Sequence, residues 1–389
     1  MNNAHTKLNI SLTYIATVLF WCSLYVYVPV LGTYCAMMGS SYIMIGTILS
    51  SYGFVQLILR IPIGMLSDRI GKRKLFMLAG LGCSIVSGLV FFFGKTPPMM
   101  LLGRSLAGVS AATWAVFMVN FAGFYPRERQ SEGMGIAGMT VFMGQVPATI
   151  LGGVLAAFLS EKITFLISAL VGILGLLFVL LVPERTEIDS NPPGLGDFLA
   201  MLKNRDLLYF SFLAVILMIA VYAGILGFIP NLLKELGSSN LILGVATAFG
   251  SLFSIVTSMF SGTFFENKLG FKFSIIISFI LIALTLVLMG FTSNITMLLI
   301  LSLLTSAPRG LVQTMLNSLA VRGIKPQLRS AAASVFQSIY GLGMTIGPIV
   351  TGILTELYGI TNAFIVIGLF TLLAVVIVSF RKKWPVWAE

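Results

Sequence analysis

By length alone, the chain's 389 residues would fill two or three soluble domains. Composition excludes that arrangement: 58% of residues are apolar and 10% charged, against roughly 45–50% and 25% in soluble domains, and mean hydropathy is +1.01. The surplus apolar surface has to face lipid, which excludes a soluble enzyme, a nucleic-acid binder and a disordered chain, and leaves the net charge of +11 to be explained by topology.

Twelve apolar runs are long enough to cross a hydrocarbon core of roughly 30 Å. They are 10–35, 41–66, 75–94, 98–121, 134–159, 164–182, 207–231, 240–264, 273–291, 295–319, 331–354 and 361–380. Each is predicted to be a helix, the only single segment that satisfies its own backbone groups in lipid. The first run is long for a signal-peptide core and lacks an A-x-A cleavage site, so it reads as a retained helix. The only histidine, His5, precedes it in the tail, which leaves the spans without imidazole chemistry.

In span one, Tyr14, Thr17, Trp21 and Tyr25 share one helical face. Such a stripe is more often core packing than a surface on which a ligand stacks. Cys22, Cys35 and Cys83 are an odd, scattered set that builds neither a disulfide framework nor a metal knuckle. Span two carries Arg60, then Pro62 and the run Gly64-Met65-Leu66-Ser67-Asp68-Arg69-Ile70-Gly71-Lys72-Arg73-Lys74. Span four places Arg104, Gly108 and Ala112 at four-residue steps. Span five is rich in glycine (Gly135, Gly138, Gly144, Gly152 and Gly153), with Pro147 ahead of Ala148-Thr149.

The longest loop, 183–206, opens with Pro183 and carries Pro192-Pro193-Gly194. From Asp197 to Asp206 it suits either a plain linker or an interfacial helix with Phe198, Leu199 and Leu202 at the bilayer and Lys203 and Arg205 in water. Span ten sets Arg309 near its middle, with Ser302, Thr305 and Gln313 on the same face. A polar stripe around an intramembrane arginine fits a wet cavity or a buried anion, or else hydrogen bonding between helices. Span eleven contains Gly343, Gly347-Pro348 and Gly352. After span twelve, Arg381-Lys382-Lys383 with Trp384 and Trp387 is expected to anchor the chain at the interface.

Of the 24 lysines and arginines, 18 fall in the tails or the even-to-odd loops, and only Lys95, Lys162 and Lys234 in the opposite loops. Both tails are therefore expected to be cytoplasmic. Arg60, Arg104 and Arg309 remain inside spans, whereas all 13 acidic residues fall in loops or tails. A membrane carboxylate for proton coupling is absent from the spans so drawn, and so are the residues of intramembrane aspartyl, serine or zinc hydrolases. No catalytic residue, metal site or cofactor is expected, and no nucleotide-binding loop is present.

Loop 183–206 divides the chain into 1–182 and 207–389, and the halves echo each other. Pro126-Arg127-Glu128-Arg129 matches Pro326-Gln327-Leu328-Arg329, and Gly64, Asp68 and Gly71 match Gly262, Glu266 and Gly270. The expected fold is an all-α polytopic membrane protein with twelve transmembrane helices in two pseudo-symmetric six-helix bundles, its site between the repeats.

The run from Gly64 to Lys74 resembles the cytoplasmic loop signature of the major facilitator superfamily, with Gly64, Leu66, Asp68, Arg69, Gly71, Lys72 and Arg73 matching. Arg104, Gly108 and Ala112 are similar to that family's span-four element, and the glycines of span five to its exporter-associated element, from which Ala148-Thr149 departs. The resemblance implies a cytoplasmic gate built on Gly64, Asp68, Arg69, Gly71 and Arg73. Gly64 would allow close helix approach, and Asp68 would face the N-terminus of span eleven. It also implies a cavity lined by spans one, four, seven and ten, and so adds Trp114 and Tyr222 to Trp21, Tyr25, Arg104, Thr305, Arg309 and Gln313 as candidate substrate contacts. Spans three, six, nine and twelve would then face lipid.

The expected function is secondary transport of a small organic solute across the cytoplasmic membrane by alternating access. Arginines without carboxylate partners favour an anionic or zwitterionic metabolite. Efflux of lipophilic drugs is the alternative, in keeping with 19 methionines, and a non-transporting receptor or scaffold is remoter. The expected partners are a small-molecule substrate and the bilayer, with no nucleic acid or nucleotide, and the expected state is a monomer.

Overall fold

A computed structural model describes residues 3–126, 129–184, 194–325, 328–381 and 384. Among them are twelve spans long and apolar enough to cross a membrane, and no strand. Three spans are broken. Helices α1 (Asn3–Tyr25) and α2 (Val28–Met37) form the first, and Pro29 opens α2 where its missing N–H costs nothing. After α3 (Tyr42–Ile70) and α4 (Arg73–Phe93), span four divides at Thr113 into α5 (Pro97–Ala112) and α6 (Trp114–Ala122). Helices α7 (Gln130–Phe158) and α8 (Glu161–Leu181) complete the first half. A short α9 (Leu195–Met201) lies in the connecting loop. Span seven is α10 (Arg205–Ala223) and α11 (Ile229–Glu235), joined by a π turn at Gly224–Phe228. The chain then runs through α12 (Asn240–Met259), α13 (Asn267–Met289), α14 (Ile295–Arg322), α15 (Arg329–Tyr358) and α16 (Ile360–Phe380).

The same local devices recur about 200 positions apart. Ser41 caps α3 by accepting from the Met44 N–H, and Ser239 caps α12 by accepting from the Ile242 N–H. Gly71 ends α3 at φ +71° and ψ 5°, a left-handed conformation that disfavours any side chain, and Gly270 shares the positive φ (+73°) but, with ψ 160°, kinks the start of α13 instead. Lys74 donates to the carbonyls of Leu180 and Val182 at 2.7 Å each, and Lys272 donates to those of Ser379 and Arg381 at 3.3 and 3.4 Å. Each lysine thus satisfies orphan carbonyls where the last helix of its half ends. These pairs extend the repeat read from sequence; of that repeat's 126–129 and 326–329 segments, Arg127, Glu128, Pro326 and Gln327 lie outside the described residues.

Within the first half α1 packs on α7 and α8, and α4 on α5 and α8; in the second, α10 packs on α15 and α13 on α16. The halves meet along two seams, α3 against α15 and α7 against α12. Small residues make the seams close. A Cβ on Gly153 would stand 2.7 Å from the Gly244 Cα, so α7 and α12 touch backbone to backbone. In lipid, where no hydrophobic force joins helices, such contact supplies the association energy. Leu170, Leu174 and Leu177 of span six and Leu369, Phe370 and Val376 of span twelve are exposed, as lipid-facing helices require.

Four expectations need correction. No helix approaches Gly64: a Cβ there would meet nothing within 4 Å, because α3 borders a cleft at that point. Gly135 and Gly138 are likewise uncrowded, and only Gly144, Gly152 and Gly153 of span five serve close packing. Phe198 of α9 turns into the same cleft rather than towards the bilayer, while Leu199 and Leu202 remain exposed. Trp384 packs against the Phe210 ring, at 6.0 Å between centroids, and the Arg381 guanidinium, 5.7 Å from its own ring. The rest of the expected anchor (Lys382, Lys383 and Trp387), Pro192-Pro193 and the His5 side chain fall outside what is described. Cys22, Cys35 and Cys83 are free thiols.

Candidate functional site

Where the first span breaks, between α1 and α2, a small chamber with about 10 Å³ of free space opens, with Tyr25, Val28, Tyr52, Arg104, Tyr222 and Leu226 in its wall. Of the two arginines expected here, Arg104 lines the chamber and Arg309 does not, and neither has a carboxylate partner among the described residues. Arg104 is 5% exposed. Its Nη1 donates to the Tyr27 hydroxyl at 3.3 Å, and its guanidinium carbon lies 4.2 Å from the Tyr52 ring centroid, a cation–π contact, while Nε has no partner. Arg309 of α14 sits deep between helices yet keeps accessible surface, so it borders an internal space. It forms no hydrogen bond or ion pair among the described residues. The phenols of Tyr25 and Tyr222 lie within electrostatic reach of both guanidiniums, one contributed by each half of the chain. A buried cation without a partner is costly and marks a functional position.

The other candidate contacts divide. Tyr25 and Tyr222 line the chamber. Trp21 and Trp114 do not: they pack edge to face, with ring centroids 5.1 Å apart, and the Trp21 Nε1 is buried without a partner. Gln313, one turn from Arg309, has its Oε1 buried and unpartnered. Thr305 is directed to α13, its Oγ1 lying 2.8 Å from that of Thr285 and bonding back to the Leu301 carbonyl. Sequence reasoning missed Tyr52 and Tyr340, which stand on the seam helices α3 and α15; Tyr340 is coupled to both Tyr25 and Tyr222. Their residue type in an apolar helix resembles ordinary packing, and only the fold brings them to the arginines.

On the face that carries the basic loops, a cleft with about 40 Å³ of free space is bordered by Gly64, Ser67, Asp68, Phe198, Ala331 and Ser334. Asp68 therefore shares a cleft with the first turn of α15. Arg73 pairs with Asp68 at 3.7 Å, Arg69 is exposed, and Gly71 supplies the turn that places Arg73. Deeper in the seam, Arg60 donates to Gln56 on its own helix and to Gln337 of α15, so it links the two halves.

The opposite face is fastened by carboxylates that loop assignment had treated as solvated. The Tyr42 hydroxyl donates to Glu235, and the Tyr42 N–H donates to Glu356 at 2.8 Å. Asn240 donates to Glu161 at 2.7 Å and to the Ala156 carbonyl at 3.1 Å, and Lys234 donates to Asn240 at 2.9 Å. Apart from the Lys234–Asn240 bond, each of these contacts crosses between halves. The molecule is thus closed opposite the basic face and retains a cleft on the basic side.

Comparison with known proteins agrees with this geometry. The family model of the Major Facilitator Superfamily matches residues 13–270 and, overlapping them, 211–385. An uncharacterized MFS-type transporter of Methanocaldococcus jannaschii is 26% identical over 367 residues, covering 91% of this chain and 92% of that one. The class B tetracycline resistance protein of Escherichia coli is 26% identical over 244 residues, 60% of each chain. Among solved structures, a bacterial homolog of the human lysosomal transporter Spinster, inward-facing and unoccupied, superposes with a TM-score of 0.80 at 15% identity over 97% of both chains. The chain belongs to the Major Facilitator Superfamily, a family of secondary transporters.

Proposed function

We propose that the protein carries a small organic solute with an anionic or zwitterionic group across the cytoplasmic membrane by alternating access about the Tyr25–Tyr222 chamber. The observation that carries this is Arg309: a deeply placed guanidinium without hydrogen bond or counter-ion among the described residues, facing phenols it shares with Arg104. A bound anion neutralises a charge whose burial otherwise costs several kcal/mol. Residues 1–182 and 207–389 act as the two rocking units, joined by 183–206, with the basic face and both termini cytoplasmic. The Asp68–Arg73 pair and Arg69 hold the cytoplasmic gate, and the glutamate contacts hold the outer one. The carrier works as a monomer and needs no cofactor.

Drug efflux is the second reading, favoured by the tetracycline resistance relative. Ligand-dependent thermal stabilisation of the purified protein separates the two. Anions or zwitterions that stabilise the wild type but not Arg309→Gln support the metabolite reading. Stabilisation by lipophilic drugs alone, unchanged in that variant, makes efflux the function.

A further inference from the structure

We propose that the chamber selects a monoanion with an aromatic or similarly apolar body and rejects zwitterions; this narrows, and rests on, the anion reading above. Three features of the chamber and of Arg309, which faces its tyrosines Tyr25 and Tyr222, carry it. First, the two guanidiniums are not equivalent. Arg104 spreads its charge over phenol groups, with the Tyr27 hydroxyl at 3.3 Å and the Tyr52 ring at 4.2 Å. Arg309 has no partner among the described residues. One position therefore awaits an anionic group.

Second, an ammonium has nowhere to go. Every carboxylate in a described span lies within three residues of that span's end, far from the chamber. Among the rings of the wall, Tyr52 already holds Arg104 against its face, and those of Tyr25 and Tyr222 lie in the field of both arginines. An ammonium in the chamber would stand in the field of both arginines, and like charges brought together in a dry site are strongly disfavoured. Third, the remaining wall is Leu24, Val28 and Leu226 with the rings of Tyr25 and Tyr222. That surface gains from covering an apolar body and penalises a second charge or a strongly hydrated group.

Four probes of similar reach test the inference by equilibrium binding to the full-length protein: phenylacetate, phenylalanine, phenethylamine and succinate. Phenylacetate is expected to bind at least about tenfold more tightly than each of the others, a step that a single like-charge contact or a lost apolar contact readily exceeds. Arg309→Gln should weaken phenylacetate by a similar factor, and Arg309→Lys should retain part of the binding. The ranking is read on the wild type, so it stands even where a variant fails to fold. Phenylalanine binding as well as phenylacetate, or succinate binding better, overturns this inference and leaves the anion reading intact. Binding of phenethylamine alone overturns both, and so does the absence of binding by all four probes alongside stabilisation by neutral drugs.

Discussion

Arg309 could be singled out from sequence because a charge in the middle of an apolar span has few innocent explanations, and its surroundings support the role proposed for it. With no hydrogen bond among the described residues, its burial is uncompensated in the empty protein. Arg309→Gln should therefore leave the unliganded protein as stable as the wild type or more so. An anion at roughly 100 times its dissociation constant should stabilise the wild type by about 2.7 kcal/mol and the variant by almost nothing. Thermal unfolding with and without ligand reads both. Gly71 makes a second prediction at this scale. Its φ of +71° means that Gly71→Ala should cost about 1–2 kcal/mol, seen as a lower melting temperature and a loosened Arg73–Asp68 pair. Glu161, Glu235 and Glu356 escaped sequence reasoning for the converse reason. An acid at a span end looks solvated until the fold sets a partner from the other half against it, as Tyr42 is set against Glu235 and Glu356.

At the scale of elements, the twelve spans and their order could be read from apolar runs alone, because lipid leaves a helix as the only solution for each. The breaks at Val26–Tyr27, Thr113 and Gly224–Phe228 could not. Proline and glycine occur at several other places in the spans, and whether a break forms depends on which neighbour satisfies the freed backbone groups. The α7–α12 seam yields a test. Gly153→Leu would drive a side chain into Gly244, whose Cα lies 2.7 Å from the Cβ position, and should hold the face opposite the basic loops open. Buried Cys35, left as the sole thiol by replacing Cys22 and Cys83, reports it: maleimide labelling should rise several-fold in the Gly153→Leu protein. Unchanged labelling would show that the seam does not close that side. Asp68→Asn should act in the opposite sense by removing the anion that shares the basic-side cleft with the first turn of α15. The outward-open population should fall, and Cys35 labelling should stay at or below the wild-type level.

For the whole molecule, the repeat read from Gly64, Asp68 and Gly71 proved deeper than motif matching, extending to paired serine caps, positive-φ glycines and capping lysines. These devices brace each half, and the halves meet along two extensive, glycine-lined seams, α3 against α15 and α7 against α12. Two braced units that meet along smooth, small-residue seams are what rocking about a central chamber demands. Direction of transport and coupling were not legible, because they depend on energy differences between access states rather than on residue types.

The most direct test is flux into liposomes that contain only this protein, using a radiolabelled anion that stabilises it, with Arg309→Gln reconstituted in parallel. Saturable, protein-dependent flux that falls at least tenfold in the variant is the predicted result. Binding without flux, or flux indifferent to Arg309, would contradict a transporter whose substrate site is built on that arginine.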